Sequence, residues 1–245
     1  MLANIRVVLV NTSHPGNIGA AARAMKTMRL EKLYLVQPEK FPCAEATARA
    51  SGADDILAAA HVCDTLDAAL AGCSIVFGAS ARLRTIAWPQ VGPRECARLA
   101  VAESAGGEVA LVFGREDSGL TNAELERCHY LVQIPSNPAY PSLNLASAVQ
   151  VMAYEAMMAY DMGAVDDASL VCVPGEYMER VTADEMAQFY EHLRQTMIDI
   201  EFFDPAKPRR LMRRMHRMFN RIQLDRNEYN ILRGILTAVQ KKHTK

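Results

Sequence analysis

The chain has 245 residues, half of them hydrophobic and 22% charged, so it can bury a full core and is too apolar for a disordered protein. Its six cysteines (Cys43, Cys63, Cys73, Cys96, Cys128, Cys172) are never closer than ten residues, which excludes CxxC redox and zinc motifs and predicts reduced thiols. No basic N-terminal region precedes a long apolar stretch, so we expect a soluble, cytoplasmic protein.

The formal net charge of −1 hides an uneven distribution. Residues 1–203 carry 15 Lys and Arg against 25 Asp and Glu, whereas residues 204–245 carry 12 against 3. A basic segment on an acidic body favours a polyanionic partner such as nucleic acid, and a merely solvated basic face is the alternative.

Short apolar runs alternate with segments of helical length along the first 134 residues. The runs are IRVVLV (5–10), LYLV (33–36), SIVFGA (74–79), VALVF (109–113) and YLVQI (130–134). They are apolar throughout rather than alternating, which is typical of strands covered on both faces. We therefore predict an α/β domain with a mainly parallel sheet.

A long helix follows over residues 142–161, with Ser142 as the candidate N-cap. It is apolar nearly all round, which predicts burial against the sheet, a partner subunit, or both. Residues 164–181 lose this periodicity and contain Pro174 and Gly175, so we interpret them as a linker between a domain of residues 1–163 and a smaller helical domain of residues 182–245.

The C-terminal segment predicts three helices. Thr182 and Glu185 form a capping-box pattern ahead of a helix that extends to about Phe203, and Asp225 caps the last helix. Between them, residues 209–221 form a basic helix whose apolar face is expected to hold Leu211, Met215, Met218 and Ile222.

Four loops that follow the predicted strands hold the candidate functional residues, because ligands of open parallel sheets bind beyond the carboxyl ends of the strands. The loops are residues 11–19, 79–89, 114–121 and 134–144. The first has Gly16 and Gly19 but no GxGxxG, and no acidic residue ends the next strand, so a dinucleotide site is weakly supported. The sequence also lacks GxxxxGK[ST] and HExxH, which argues against phosphoryl transfer and zinc hydrolysis.

Taken together and in this order, the loops resemble the three motifs of the SPOUT, or trefoil-knotted, S-adenosylmethionine-dependent RNA methyltransferases. The motifs are Asn11 with GNIG (16–19) and Arg23, then LVFGRE (111–116) with SGLT (118–121), then IPSNPAYPSLNLASAV (134–149). The resemblance covers about residues 3–160 and implies a deep trefoil knot in the α/β domain, followed by a small all-α domain.

The resemblance also assigns roles to residues. The contacts to S-adenosylmethionine are expected at Ala79, Ser80, Ala81, Gly114, Ile134, Ser142, Leu143 and Asn144. Asn17 and Arg23 face the reacting nucleotide, with Ser142 as a possible proton acceptor, and Glu116 braces its loop. Since guanidinium groups stay protonated in proteins, we interpret Arg23 as a cation that pairs with phosphate rather than as a base. No metal is implied.

RNA contacts are expected from two segments. Arg82, Arg84 and Trp88 offer two cations and one aromatic plane for phosphates and bases, although Trp88 can equally be a packed anchor. Arg213, Arg214 and Arg217 of the basic helix would extend the contact along the backbone of the RNA.

Within the family, MLANIRVVLVNTSHPGNIGAAARAMKTM (1–28) and SARLRTIAWP (80–89) resemble the bacterial homodimeric enzymes that methylate the 2′-hydroxyl of cytidine or uridine 32 in tRNA. Three alternatives remain open from the sequence. They are another ribose of tRNA or rRNA, an RNA-binding module without activity, and, least supported, a nicotinamide enzyme.

Overall fold

The structure, a computed structural model, describes residues 1–81, 88–163 and 181–243. Its strands form one sheet in the order β3-β2-β1-β6-β4-β7-β5, and every pairing within it is parallel. The strands are β1 (Ile5–Val10), β2 (Lys32–Val36), β3 (His61–Cys63), β4 (Cys73–Ala79), β5 (Gln90–Val91), β6 (Glu108–Phe113) and β7 (Tyr130–Val132). The prediction of a parallel α/β sheet is confirmed.

The five predicted apolar runs correspond to β1, β2, β4, β6 and β7, whereas β3 and β5 were not predicted. These two strands have three and two residues and occupy the edges of the sheet. His61 and Val62 of β3 are exposed, so the strand lacks the apolar run that predicts a central strand.

Helices connect and cover the strands. After a 3₁₀ turn at Leu2–Asn4, the α-helices of the described residues are α1 (Pro15–Thr27), α2 (Ala44–Ala50), α3 (Asp54–Ala58), α4 (Leu66–Leu70), α5 (Pro93–Glu103), α6 (Asn122–Leu125), α7 (Leu145–Asp161), α8 (Ala183–Asp199), α9 (Leu211–Ile222) and α10 (Arg226–His243). None of the helices in those ranges combines the length and the apolar character needed to cross a membrane.

Strand β1 shows how the core is divided between the two faces of the sheet. Ile5, Val7 and Leu9 pack in one cluster with α1, α5 and α7, and Val8 and Val10 pack in a second cluster with α4. All six residues of β1 are buried, as expected for a strand covered on both sides.

Helix α7 begins later than predicted, and Ser142 is not its cap. The N-cap is Asn144, whose side-chain oxygen accepts hydrogen bonds from the backbone N–H groups of Ala146 at 2.9 Å and Ser147 at 3.3 Å. The helix packs against α1 and α5 and leaves Tyr154 46% and Met162 79% exposed.

The C-terminal helices have their own small core, formed by Val181, Met186, Phe189, Tyr190, Leu224 and Tyr229. The predicted caps are confirmed: Glu185 accepts the backbone N–H of Thr182 at 2.9 Å, and Asp225 and Glu228 bond reciprocally. Helix α8 ends at Asp199 rather than near Phe203, and it packs on β4 and α4. Of the predicted linker 164–181, residues 164–180 lie outside the described residues.

The apolar face predicted for the basic helix is wrong in α9. Met218 and Ile222 are 39% and 51% exposed, and the buried residues are His216 and Asn220. The Asn220 amide donates to the carbonyl oxygens of Glu126 at 3.0 Å and Cys128 at 3.3 Å. The helix contacts the α/β domain through polar groups, because the surface beneath it presents the carbonyl oxygens of Glu126 and Cys128, while its Phe219 packs on the C-terminal core.

Candidate active site

A cavity of about 320 Å³ lies at the carboxyl ends of β4, β6 and β7. Residues from three of the four predicted loops line it, together with buried side chains such as Phe113, Leu120 and Val132. Seven of the eight residues expected to contact the cofactor are in this lining: Ala79, Ser80, Ala81, Gly114, Ile134, Ser142 and Leu143. The structure thus brings together residues that lie far apart in the sequence.

Gly114 occupies a point where two backbone segments cross. A Cβ atom at this position would lie 2.2 Å from the carbonyl carbon of Gly119 and 2.3 Å from the backbone nitrogen of Leu120. Arg115 and Gly119 exchange backbone hydrogen bonds of 2.9 and 3.3 Å, and Gly119 has a φ of +69°. This close approach, which only a glycine allows, places the 114–120 backbone against the cavity.

A chain of side-chain hydrogen bonds joins the first, third and fourth loops. The Asn144 amide donates to the side-chain oxygen of Asn17 at 2.9 Å, and the Asn17 amide donates to Glu116 at 2.9 Å. The Asn144 side-chain oxygen accepts a hydrogen bond from the backbone N–H of Ala146 at the start of α7, so its amide nitrogen is the group that faces Asn17. A carboxylate can only accept hydrogen bonds, so the amide nitrogen of Asn17 faces Glu116. Asn144 does not line the cavity; it ties the cavity wall to the first loop.

Glu116 holds the first loop in place. Its carboxylate also accepts from the backbone N–H and the hydroxyl of Ser13, at 3.2 and 3.1 Å, and from the backbone N–H of His14 at 3.4 Å. Partial burial raises the pKa of Glu116, but the hydrogen bonds from Asn17, Ser13 and His14 outweigh it and leave the pKa below its usual value. At neutral pH Glu116 is therefore an ionised acceptor.

Arg23 and Ser142, which are also expected at the reaction, differ from Glu116 in having no partner among the residues that the structure describes. Arg23 lies on α1 outside the cavity lining, is exposed, and makes no hydrogen bond or ion pair with the described residues. Ser142 is also exposed, lines the cavity, and has no hydrogen-bond partner in the same part of the chain. Both groups are available to a ligand from solution.

The structure adds a pair that the sequence analysis missed, Arg115 and Glu124. The Arg115 guanidinium donates to both carboxylate oxygens of Glu124, at 3.0 and 3.1 Å, and to the side-chain oxygen of Asn11 at 2.5 Å. Glu124 also completes a capping box with Thr121. The three-residue spacing of Thr121 and Glu124 is a capping-box pattern, so the role of Glu124 at the start of α6 could have been predicted from the sequence. Arg115 is thus engaged by partners within the loops, and it is itself part of the cavity lining.

The prediction that Trp88 stacks on RNA is wrong for this structure. Trp88 is only 7% exposed, and its indole N–H donates to the Cys128 carbonyl at 3.1 Å. It is the packed anchor that the sequence also allowed. Arg82 and Arg84, predicted with it, lie outside the described residues.

The three predicted arginines of α9 have different surroundings. Arg213 is ion-paired with Glu126 of the α/β domain, and Arg217 is partly buried, whereas Arg214 is exposed. Arg209, Arg210 and Arg221 are also exposed, and like Arg214 they make no ion pair with the described residues. Among the arginines of residues 209–221, these four are exposed to a polyanion without an ion pair to the described residues, and Arg213 instead holds the helix to the domain.

The cavity fits a nucleoside with a cationic group. Its volume falls at the small end of the range for ligand pockets, and its lining includes apolar residues such as Leu120, Ile134 and Leu143. Glu116 and Asp117 supply carboxylates at one side of the lining. The described residues contain no group of three His, Cys, Asp or Glu side chains able to hold a metal.

Two family models match the chain. The SpoU rRNA Methylase family matches residues 4–154, and the C-terminal domain of the tRNA methyltransferase TrmJ matches residues 184–245.

Similar proteins cover nearly the whole chain. A tRNA (cytidine/uridine/adenosine-2′-O-)-methyltransferase TrmJ of Pseudomonas aeruginosa strain UCBPP-PA14 is 58% identical over 245 residues, covering 98% of this chain and 95% of that protein. The tRNA (cytidine/uridine-2′-O-)-methyltransferase TrmJ of Escherichia coli K12 is 50% identical over 243 residues, covering 99% and 98%. The crystal structure of TrmJ from Z. mobilis ZM4 is similar with a TM-score of 0.82 and 28% identity, covering 96% of this chain and 98% of that one.

Proposed function

The chain belongs to the SpoU rRNA methylase family and carries the C-terminal domain of the TrmJ tRNA methyltransferases, and from this we propose that it methylates tRNA at a ribose 2′-hydroxyl with S-adenosylmethionine as donor. The relatives that are 58% and 50% identical over nearly their whole length are both named as tRNA 2′-O-methyltransferases, which favours tRNA over rRNA as the substrate. The target we propose is nucleotide 32, in the anticodon loop, as cytidine or uridine.

The observation that carries the proposal is one preformed cavity that Ser142 lines, together with Arg23 exposed on α1, both side chains being without a partner among the described residues. The cavity walls, from Ala79–Ala81, Gly114, Ile134 and Ser142–Leu143, would hold the cofactor through backbone groups and apolar contacts. When bound, S-adenosylmethionine supplies a methyl group activated by a positively charged sulfur. The protein must then position the ribose hydroxyl and stabilise its oxygen as the proton leaves.

Arg23 is suited to the substrate side of this reaction. Its guanidinium is exposed and lacks a carboxylate partner among the described residues, so it can pair with a phosphate next to the reacting ribose and stabilise negative charge on the 2′-oxygen. Ser142, at the rim, can accept the proton and pass it to water. Asn17 uses one amide hydrogen and its oxygen internally, which fixes the remaining N–H for a substrate contact.

The assembly follows from the same proposal. Residues 1–163 form the methyltransferase domain, with the trefoil knot of the family, and residues 182–245 form the helical domain beyond the 164–181 linker. A homodimer would cover the exposed apolar residues of α7. Arg82, Arg84 and the free arginines of α9 would contact the tRNA backbone, and the enzyme would act in the cytoplasm, where tRNA is matured.

A chimeric tRNA tests the reaction directly. The purified protein is incubated with labelled S-adenosylmethionine and either a tRNA transcript or the same tRNA with a 2′-deoxy nucleotide at position 32. We expect methyl transfer to the transcript only. Equal transfer to both tRNAs contradicts the proposed target, and label on a base contradicts ribose methylation.

A further inference from the structure

Tyr140 is an exposed aromatic residue beside the cavity that the proposed mechanism does not use. Its side chain is 78% exposed, and its ring contacts no other aromatic ring or guanidinium of the described residues. The ring is therefore accessible to a ligand from solution.

The backbone around Tyr140 is held rigidly. The Tyr140 N–H donates to the Asn137 carbonyl at 2.9 Å, closing a turn, and the Ala139 N–H donates to the Asn137 side chain at 3.0 Å. The Ser136 hydroxyl donates to the Pro141 carbonyl at 2.9 Å and closes the base of the loop. Pro138 and Pro141 restrict the backbone further. The ring is thus presented by a preorganised turn.

The turn leads directly into the cavity wall. Pro141, Ser142 and Leu143 follow Tyr140 in the sequence and line the cavity, and Leu143 is itself 39% exposed. Consecutive Cα atoms are about 3.8 Å apart, so the ring stands within about 10 Å of the rim. The cavity volume of about 320 Å³ is at the small end of the range for ligand pockets, so with the cofactor inside, the substrate nucleobase would lie outside the cavity, and the rim beside Tyr140 is accessible to it.

We propose that Tyr140 is a stacking platform for the base of the nucleotide whose ribose is methylated. The inference rests on the proposed function and adds a residue that positions the substrate. Unpaired bases of RNA loops bind by stacking on aromatic side chains, and stacking tolerates different bases because each has a flat face. Tyr140 therefore holds the reacting nucleotide without choosing its base by hydrogen bonds.

The test uses two variants, one control and two substrates. Tyr140→Ala removes the ring, Tyr140→Phe keeps it, and Phe202→Ala removes an exposed ring, 64% exposed, from the C-terminal domain. Each protein is assayed on an intact tRNA and on the same tRNA with an abasic ribose at the methylated nucleotide. S-adenosylmethionine affinity is measured in parallel by calorimetry.

We expect Tyr140→Ala to lose roughly tenfold or more in kcat/KM on intact tRNA and to match the wild type on abasic tRNA, with unchanged affinity for the cofactor. Tyr140→Phe and Phe202→Ala should retain wild-type activity on both substrates. Full activity of Tyr140→Ala on intact tRNA, or an equal loss of activity on both tRNAs, contradicts the stacking role of Tyr140 and leaves the proposed function unaffected. A wild-type protein that binds the cofactor but methylates neither tRNA overturns the proposed function and the platform with it.

Discussion

At the scale of single residues, the site depends on which polar groups are already satisfied within the protein. Glu116, Asn17 and Asn144 bond to one another and form the frame, whereas Arg23 and Ser142 have no partner among the described residues. The hydrogen-bonded side chains keep the loops in position, whereas Arg23 and Ser142 can bind substrate groups during a reaction. Substitutions in the two sets should therefore have different effects.

Substituting Arg23 should separate catalysis from cofactor binding. Arg23→Ala removes a cation outside the cavity lining, so we expect turnover to be abolished while the affinity for S-adenosylmethionine, measured by calorimetry, stays that of the wild type. Lys26→Ala, on the same helix, is the control and should retain activity. Loss of cofactor affinity in Arg23→Ala would show that Arg23 helps to bind S-adenosylmethionine rather than the tRNA.

Substituting Glu116 should act through stability. Glu116→Gln replaces one acceptor oxygen by a donor that faces other donors, and we expect a loss of about 1 kcal/mol in unfolding free energy. Because the pKa of Glu116 is lowered in the folded protein, its stabilisation is present above its ordinary pKa and is lost as the pH falls through the folded value. Glu31→Gln, at an exposed residue outside the loops of the site, is the control and should change neither quantity in a denaturant titration. Equal stability of Glu116→Gln and wild type would contradict the bracing role.

At the scale of elements, the central strands and the helix caps could be predicted from the sequence, because apolar runs and capping boxes are local signals. The edge strand β3 could not, since two of its three residues are exposed, and the cap of α7 was misplaced by two residues. For α9 the pattern of apolar residues predicted the wrong buried face. The surface beneath the helix presents carbonyl oxygens and the Glu126 carboxylate, so the residues that contact it are Asn220 and Arg213. The cofactor cavity was predictable only through motifs, since its walls come from loops without periodicity.

The docking of α9 should depend on pH through His216. Burial lowers the pKa of His216 to about 4, with a smaller contribution from Arg127 that Asp67 partly offsets. Its ring lies 3.9 Å from that of Tyr190, and Glu126, paired with Arg213, is 3.8 Å from its Nδ1. The folded pKa is depressed, so protons favour the unfolded state, and stability should rise between about pH 4 and pH 6.5 and level off above. Urea titrations should show this rise in the wild type and a smaller one in His216→Gln; an unchanged rise in the variant would contradict it.

The exposed arginines of α9 should determine the salt dependence of tRNA binding. Replacing Arg210, Arg214 and Arg221 by Gln should weaken binding and lower the slope of log K against log salt by roughly 2, since each released phosphate contact contributes about 0.7–0.9. Arg213→Gln is the matched control, because its partner is Glu126. The Arg213→Gln variant should keep the wild-type slope. An equal reduction of the slope in both variants would show that Arg213 also contacts the RNA.

At the scale of the whole molecule, an acidic α/β body carries a basic helical domain, and the two are joined by polar contacts such as that of Arg213 with Glu126. The body also exposes Tyr154 and Met162 on or beside α7, a helix that otherwise packs within the core. An apolar surface of this kind favours association with a second copy.

The proposed dimer can be tested with a charge on that surface. Tyr154→Asp should shift the protein to a monomer in sedimentation at micromolar concentration, because it places a charge in an apolar interface. Ile235→Asp, at a residue 53% exposed on α10, is the control and should stay dimeric. A monomeric wild type would contradict the dimer.

Mapping the methylated nucleotide tests the proposed reaction and its target in one experiment. The protein is incubated with unmodified tRNA transcripts and methyl-labelled S-adenosylmethionine, and the tRNA is digested and analysed by mass spectrometry. We predict one 2′-O-methylated nucleotide, at position 32, that is absent from a reaction with Arg23→Ala. Methylation on a base, or no methylation of any tRNA by a protein that binds the cofactor, would contradict the account.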